Sequence, residues 1–434
     1  MVRRLMVLLS AMLIASPSFA QSAQDLEQRL KELQAKLSAI DEMKREIDIL
    51  TQEIETLKSG ATKKAVEADQ AQYGMGAAAS KVYRTDAGVS IGGYGEFAYD
   101  NPRHDIARAD LLRGVLYTGY KFSPRVLFNS ELEVEHGTTE NKGGDGAEGG
   151  AVGLEFAYLD YLIRPEANVR AGVMLMPVGL INEQHEPTAY FGVHRPLVED
   201  AIIPTTWSEM GAGIFGDKGA LTYRAYVTTG LDSSRFESES GIHEGKQSGA
   251  SAKAEDLAIV ARADWHPFEG TMFGGSIYNG GSGQGARTED GQRIKGRVRL
   301  AEVHADSKFR GASLRALFAR GSIGDAALIN ERNGLEGDES IGKSFGGWYL
   351  EGGYDLASRA NISITPYVRY ERLDTQRSVP AGFERNPENN QRIFTAGFAF
   401  KPISQTVVKI DWQRAKNQAH TGDNRWNIGL GYIF

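Results

Sequence analysis

The stretch RWNIGLGYIF, residues 425–434, decides how the rest of the chain is read. Trp426, Ile428, Leu430, Tyr432 and Phe434 occupy alternate positions, with Asn427, Gly429 and Gly431 between them. In a strand successive side chains point to opposite faces. One face is therefore apolar and aromatic, and the other is polar or bare. About ten residues of this period match a strand that crosses a bilayer at a tilt of about 45°.

The same period of two extends back to Val89. Sixteen candidate strands lie near 89–99, 107–122, 125–136, 151–163, 168–176, 207–215, 219–229 and 257–266, then 271–279, 296–306, 312–320, 345–356, 361–372, 391–400, 406–414 and 425–434. Tight turns at 123–124, 164–167, 216–218, 266–270, 357–360 and 401–405 alternate with long polar loops at 137–150, 177–206, 230–256, 280–295, 321–344, 373–390 and 415–424. An outer-membrane barrel sorts its loops in this way, with short periplasmic turns and long external loops, whereas a soluble sandwich has no reason to. The expected fold is a 16-stranded antiparallel outer-membrane β-barrel spanning 89–434. In 361–372, Ile362, Ile364, Val368 and Tyr370 share one face, and Ser363, Thr365, Arg369 and Glu371 the other. In 125–136, Phe128, Leu132 and Val134 oppose Asn129, Glu131, Glu133 and Glu135. Charges on the inner face imply a polar, water-filled interior. The parity of 107–122 and 151–163 stays unassigned. The alternating last strand with terminal Phe434 resembles the C-terminal signal read by the barrel-insertion machinery, which is an expected partner, as is outer-membrane lipid.

At the other end, Arg3 and Arg4 precede the apolar run 5–14, and Ser18-Phe19-Ala20 supplies small residues at a cleavage site. This reads as a secretory signal peptide over 1–20, too short to span a bilayer. Leu26, Leu30, Leu33, Leu37, Ile40, Met43, Ile47, Leu50, Ile54 and Leu57 follow a heptad seam with a stammer around Ile40. Residues 21–58 are expected to form a periplasmic coiled coil. Residues 59–88 lose that period and read as a linker. The chain has no cysteine and a net charge of -7, which excludes a disulfide scaffold, a lipid-modified cysteine and a basic nucleic-acid footprint. A mean hydropathy of -0.36 is compatible with a barrel, because alternation keeps the average mild.

No chemistry-bearing motif passes its context test. Gly92-Gly93-Tyr94-Gly95 lies inside a strand with no helix after it, so it is no phosphate loop; glycines that smooth the barrel wall are the better reading. The acidic, glycine-rich loops 137–150 and 280–291 lack the spacing of a calcium site. His185 and His194 have acids nearby but no HExxH or cysteine beside them, so no metal and no catalytic residue is assigned. Loop 177–206 is unusual for its Leu180, Ile181, Tyr190, Phe191, Val193, Leu197, Ile202 and Ile203. Water-exposed loops do not carry such residues without cover, so the loop is expected to fold back inside the barrel and narrow it. The expected pore-lining set is Glu131, Glu133, Glu135, Arg170, His185, Arg195, Glu199, Asp200, Arg224 and Arg369, with an acidic and a basic stripe facing each other.

The pieces SIGGYGEFAYD, FNSELEVEH, LEFAYLDYLI, RAGVMLMPVGLINEQHEPTAYFGV, PTTWSEMGAGIFG and TPYVRYERLDT resemble the phosphate-selective porin O and P family, with a layout closest to DcaP-like dicarboxylate channels that carry an N-terminal coiled coil. The resemblance covers roughly 89–434. It implies a sixteen-stranded barrel, a homotrimer and diffusion of small anions past an infolded third loop. Phosphate-selective members line the passage with many Arg and Lys. Here the third loop is net acidic and the wall charges are mixed, so phosphate selectivity is not carried over. The function expected is passive diffusion of small hydrophilic solutes or ions, without cofactor or enzymatic activity. The alternative is a structural envelope protein that tethers the outer membrane through its coiled coil.

Overall fold

The computed structural model describes residues 28, 71–137, 149–357 and 362–434. The expected signal peptide, all but one residue of the coiled coil, most of loop 137–150 and most of turn 357–360 lie outside the described residues.

The described residues form sixteen antiparallel strands closed into a barrel. They are β1 (Gly88–Pro102), β2 (Arg108–Lys121), β3 (Val126–Glu135), β4 (Val152–Arg164), β5 (Ala167–Leu175), β6 (Ser208–Lys218), β7 (Leu221–Thr229) and β8 (Leu257–Phe268), followed by β9 (Thr271–Gly280), β10 (Val298–Phe309), β11 (Ala312–Ile323), β12 (Ser344–Tyr354), β13 (Ser363–Ser378), β14 (Asn390–Ile403), β15 (Thr406–Asn417) and β16 (Asn424–Ile433). Each strand pairs with its sequence neighbours, and β16 closes on β1 with Ile433 opposite Tyr94. Phe434 completes the seam: its N–H donates to Gly93 O at 2.9 Å, and Gly93 N–H donates to Phe434 O at 3.0 Å. Closure leaves no strand edge unpaired, which a span through hydrocarbon requires.

The outer wall is apolar. Trp426, Ile428, Leu430, Tyr432 and Phe434 are all exposed there, as are Leu159, Ile259, Phe273 and Leu350. A continuous band of this kind is a surface for lipid rather than for water. Among the described residues no helix is long and apolar enough to cross a membrane. The glycines at 92–95 do smooth the wall, each for its own neighbour. A Cβ on outward-facing Gly93 or Gly95 would collide with the Phe434 or Tyr432 ring, and one on inward-facing Gly92 would sit 2.8 Å from Ala78 O.

The two strands without assignable parity, β2 and β4, each carry a change of face. The register shifts between Glu96 and Phe97 in the β1–β2 pair and between Glu131 and Leu132 in the β3–β4 pair. A bulge inserts one residue and flips every side chain beyond it. In β4, Phe156, Tyr158 and Asp160 are buried and point inward, while Val152 and Leu154, also on even numbers, are exposed on the outer wall. No single period of two fits that whole strand. β13 also runs six residues beyond its expected end at 372, pairing Ser378 with Ser344.

The interior differs most from expectation. Two pieces of chain occupy the inside of the barrel. One is the expected loop 177–206. The other is the end of the stretch expected to be a linker: residues 72–84, including the short helix α1 (Lys81–Arg84), pack inside the short-turn end with Met75, Ala78, Ala79, Val82 and Tyr83 buried. At the long-loop end, Leu231, Phe236, Ile242, Ile294, Ile329 and Ile341 from other loops are buried as well.

Candidate pore constriction

The wall supplies charges at inward positions of many strands, and most of them have a counter-charge close by. Arg170 of β5 forms a two-pronged pair with Asp160 on adjacent β4, Nε to Oδ1 at 2.9 Å and Nη2 to Oδ2 at 3.0 Å. Its guanidinium lies 4.0 Å from the Tyr158 ring centroid and 4.8 Å from that of Phe215. Arg224 of β7 meets Asp264 of β8 at 2.8 Å and Glu183 of the loop at 3.3 Å. Arg262 of β8 also pairs with Asp264, whose other oxygen meets His304 Nε2 at 2.9 Å. Arg369 of β13 lies between Glu371 at 2.8 Å and Glu351 of β12 at 3.3 Å. Arg113 of β2 bridges Glu96 and Glu133 at 3.3 and 3.6 Å. These arginines are thus neutralised by carboxylates on their own or adjacent strands and form no separate stripe. The reason is burial: an unpaired charge removed from water is costly, and strand neighbours are the nearest source of a counter-charge.

Loop 177–206 is fastened by its acids. The Glu199 carboxylate, fully buried, accepts the Leu180 and Ile181 N–H groups at 2.6 and 2.8 Å and the Tyr349 hydroxyl of β12 at 2.6 Å. His185 has Nδ1 at 2.9 Å from Asn182 O and Nε2 at 3.1 Å from Glu131 of β3. Tyr190 donates to Glu96, with Lys409 Nζ 3.6 Å above its ring. Val193 N–H donates to Asp411 at 2.8 Å. Burial raises the Glu183 carboxyl above the ordinary carboxylate range, against the pull of Arg224; it raises Glu199 against the hydrogen bond from Tyr349.

Residues 72–84 are fastened to the inner wall. Tyr83 donates its hydroxyl to Asp160 at 2.8 Å and receives Arg170 Nη2 at 2.8 Å. Lys121, the last residue of β2, donates to Tyr83 O at 3.2 Å, and Asn129 donates to Ala79 O at 3.0 Å. Glu186 ties this segment to the loop by accepting the Ala78 and Ala79 N–H groups at 2.8 and 3.2 Å. Gly92 and Gly119 are required here, because a Cβ would fall 2.8 Å from Ala78 O and 2.7 Å from a Val82 methyl.

Of the ten expected pore residues, Glu131, Glu133, Arg170, His185, Glu199, Arg224 and Arg369 are buried inside the barrel. Arg195 is inside and half-buried, with Nη2 3.3 Å from His185 O. Glu135 is half-buried near the upper end of β3. Asp200 does not join the constriction: its side chain is 48% exposed, beside His243 of the next long loop. Sequence reading passed over Arg113, Asp160, Arg262, Asp264, Glu302, His304, Glu351, Lys409 and Asp411. Inward parity would have found those on regular strands, while the bulges hid Arg113 and Asp160. Among the described residues, buried polar atoms with no hydrogen-bond partner include Glu131 Oε2, Glu133 Oε1, Tyr94 OH, Arg195 Nε and Lys409 Nζ. Among the described residues no group of three or more His, Asp or Glu is arranged to hold a metal ion.

No family model matches this chain. A protein of Aquifex aeolicus, described as uncharacterized, is 35% identical over 379 residues, covering 85% of each chain. The fold is similar to solved outer-membrane proteins. OmpF of Salmonella typhi, solved with daunomycin, gives a TM-score of 0.53 at 12% identity, covering 80% of this chain and 98% of that one. A loop-deletion mutant of OmpT of Vibrio cholerae gives 0.52 at 10% identity, covering 81% and 100%. The outer membrane channel DcaP of Acinetobacter baumannii gives 0.51 at 13% identity, covering 80% and 97%. At these identities the likeness establishes the fold: a 16-stranded porin barrel.

Proposed function

This chain belongs to the family of the Aquifex aeolicus protein, and for this porin-fold family we propose a gated outer-membrane channel for passive diffusion of small hydrophilic solutes or ions. The observation that carries the reading is the charged interior. Inward-facing Glu96, Glu131, Glu302, Glu351, Arg224, Arg262 and Arg369 line the wall where apolar groups would pack more cheaply. Charges and orphaned hydrogen-bonding atoms of this kind suit a passage that is hydrated when open. The gate is the pair of occupants, residues 72–84 and loop 177–206, which share Glu186 as their link.

In this reading residues 1–20 are a removed signal peptide, 21–58 a periplasmic coiled coil and Phe434 a handle for barrel insertion. The protomer works in a homotrimer, as the resemblance to the O and P porins and DcaP-like channels implies. The ions or solutes include both signs of charge, because the interior mixes both.

Planar-bilayer recordings of the full chain and of a chain lacking 71–87 test this. The expected result is rare or small openings for the full chain. The shortened chain should give several-fold larger conductance, in three equal steps per insertion. Equal conductance from both overturns the gate. Silence from both inserted proteins overturns the channel and favours the second reading, a structural envelope protein tethered through its coiled coil, to which the filled lumen also lends itself.

A further inference from the structure

The outer wall of β13–β15 changes character near the long-loop end. In register, Arg372 lies opposite Arg392, and Arg392 lies opposite Lys416. Trp348 lies opposite Arg372 on the outer face, and Arg414, two residues from Lys416, lies opposite outward-facing Phe394. All four cations are exposed. Among the described residues, no ion pair or side-chain hydrogen bond engages any of them. Like charges directly opposite weaken an antiparallel pair, and among the described residues no carboxylate pairs with these cations to offset that.

Two outward-opening cavities meet along this row and share Asn390. One, of about 450 Å³, is lined by Trp348, Arg372 and Arg377, and by Arg385 with its ion-pair partner Asp374; the other, of about 710 Å³, by Arg392, Arg414 and Lys416. Below them the wall is aromatic, with Tyr370 opposite Phe394 and Trp412 opposite Trp426, and then aliphatic, with Ile410 opposite Ile428. An aromatic girdle marks the level of lipid headgroups, and outward cations are tolerated there but not deeper. Arginine forks match phosphate oxygens in pairs. Neighbouring strands lie ~4.8 Å apart, so Arg372, Arg392 and Lys416 fall within ~10 Å of one another.

We propose that this face binds the phosphate groups of an anionic lipid headgroup in the leaflet on the long-loop side, with the acyl chains lying against the apolar wall below. The site needs the barrel to sit in a bilayer but does not depend on whether it conducts.

The test is native mass spectrometry of the full chain in zwitterionic detergent, titrated with a bisphosphorylated glycolipid (lipid A) and with its dephosphorylated form. Replacing Arg372, Arg392 and Lys416 by Ser should weaken lipid A binding about a hundredfold, at about fivefold for each cation lost. Arg372→Lys with Arg392→Lys keeps the charge and should retain most of the binding. Removing Arg125, Arg164 and Arg310 at the short-turn end should change little. Equal lipid A binding by the triple Ser variant, or equal binding of the dephosphorylated lipid by the unaltered chain, overturns the proposal. Displacement by low millimolar inorganic phosphate overturns it in favour of a free-anion site. A change of oligomer mass in the triple variant without loss of lipid overturns it in favour of a contact between copies.

Discussion

Arg170 shows how a single inward residue ties the wall to the segment inside the barrel. It is 1% exposed, lies between two aromatic rings, pairs with Asp160 on two prongs and holds the Tyr83 hydroxyl of the lumenal segment. Arg170→Met keeps the volume of the stem but leaves Asp160 charged and without its cation. Breaking a buried pair from one side costs about 3–5 kcal/mol, more than the pair itself contributes. Denaturant unfolding in lipid vesicles should register a loss of that order. Arg170→Met with Asp160→Asn should recover a large part of it, since no orphaned charge remains. If the double variant is no better than the single one, the loss comes from packing against Tyr158 and Phe215 rather than from charge.

At the scale of elements, loop 177–206 was legible and the 72–84 segment was not. The loop betrayed itself by large apolar residues in a long connection, and Leu180, Ile181, Tyr190, Val193, Ile202 and Ile203 are indeed buried. The segment offers no such signal. Its core residues are mostly small, as in GMGAAAS over 74–80, and small residues read equally well as a flexible tether. What fixes them is the wall, where Gly92 and Gly119 leave room and Glu186 meets their N–H groups. Two elements in one lumen predict stepwise opening. In a chain already lacking 71–87, deleting 180–203 should raise single-channel conductance again. Unchanged conductance in a correctly inserted double deletion would mean that the loop does not obstruct the passage.

At the scale of the whole molecule the interior carries an acidic surplus. Among the described residues the buried wall acids Glu96, Glu131, Glu133, Asp160, Glu209, Asp264, Glu302, Glu351, Glu371, Asp374 and Asp411 outnumber the buried wall cations Arg170, Arg224, Arg262, Arg369 and Lys409. Local pairing cancels most of the field of the bases, so an opened channel should prefer cations weakly. Reversal potentials in a salt gradient check this. A strong anion preference would contradict it and would match the anion passage implied by the resemblance to the O and P porins.

By itself the sequence determined the barrel: a period of two repeated across 89–434, turns alternating with loops, and apolar faces wide enough for lipid all follow from local pattern, because strand side chains alternate by geometry alone. It also determined that charges point inward, since three carboxylates in a row on β3 cannot face hydrocarbon. Tertiary structure alone decided what those charges meet. Arg170 finds Asp160, Arg369 finds Glu351 and Tyr83 finds both Asp160 and Arg170 only once the register is set, including its shifts beside Glu96 and Glu131. A one-residue slip reverses a face, and no local pattern records where such a slip falls.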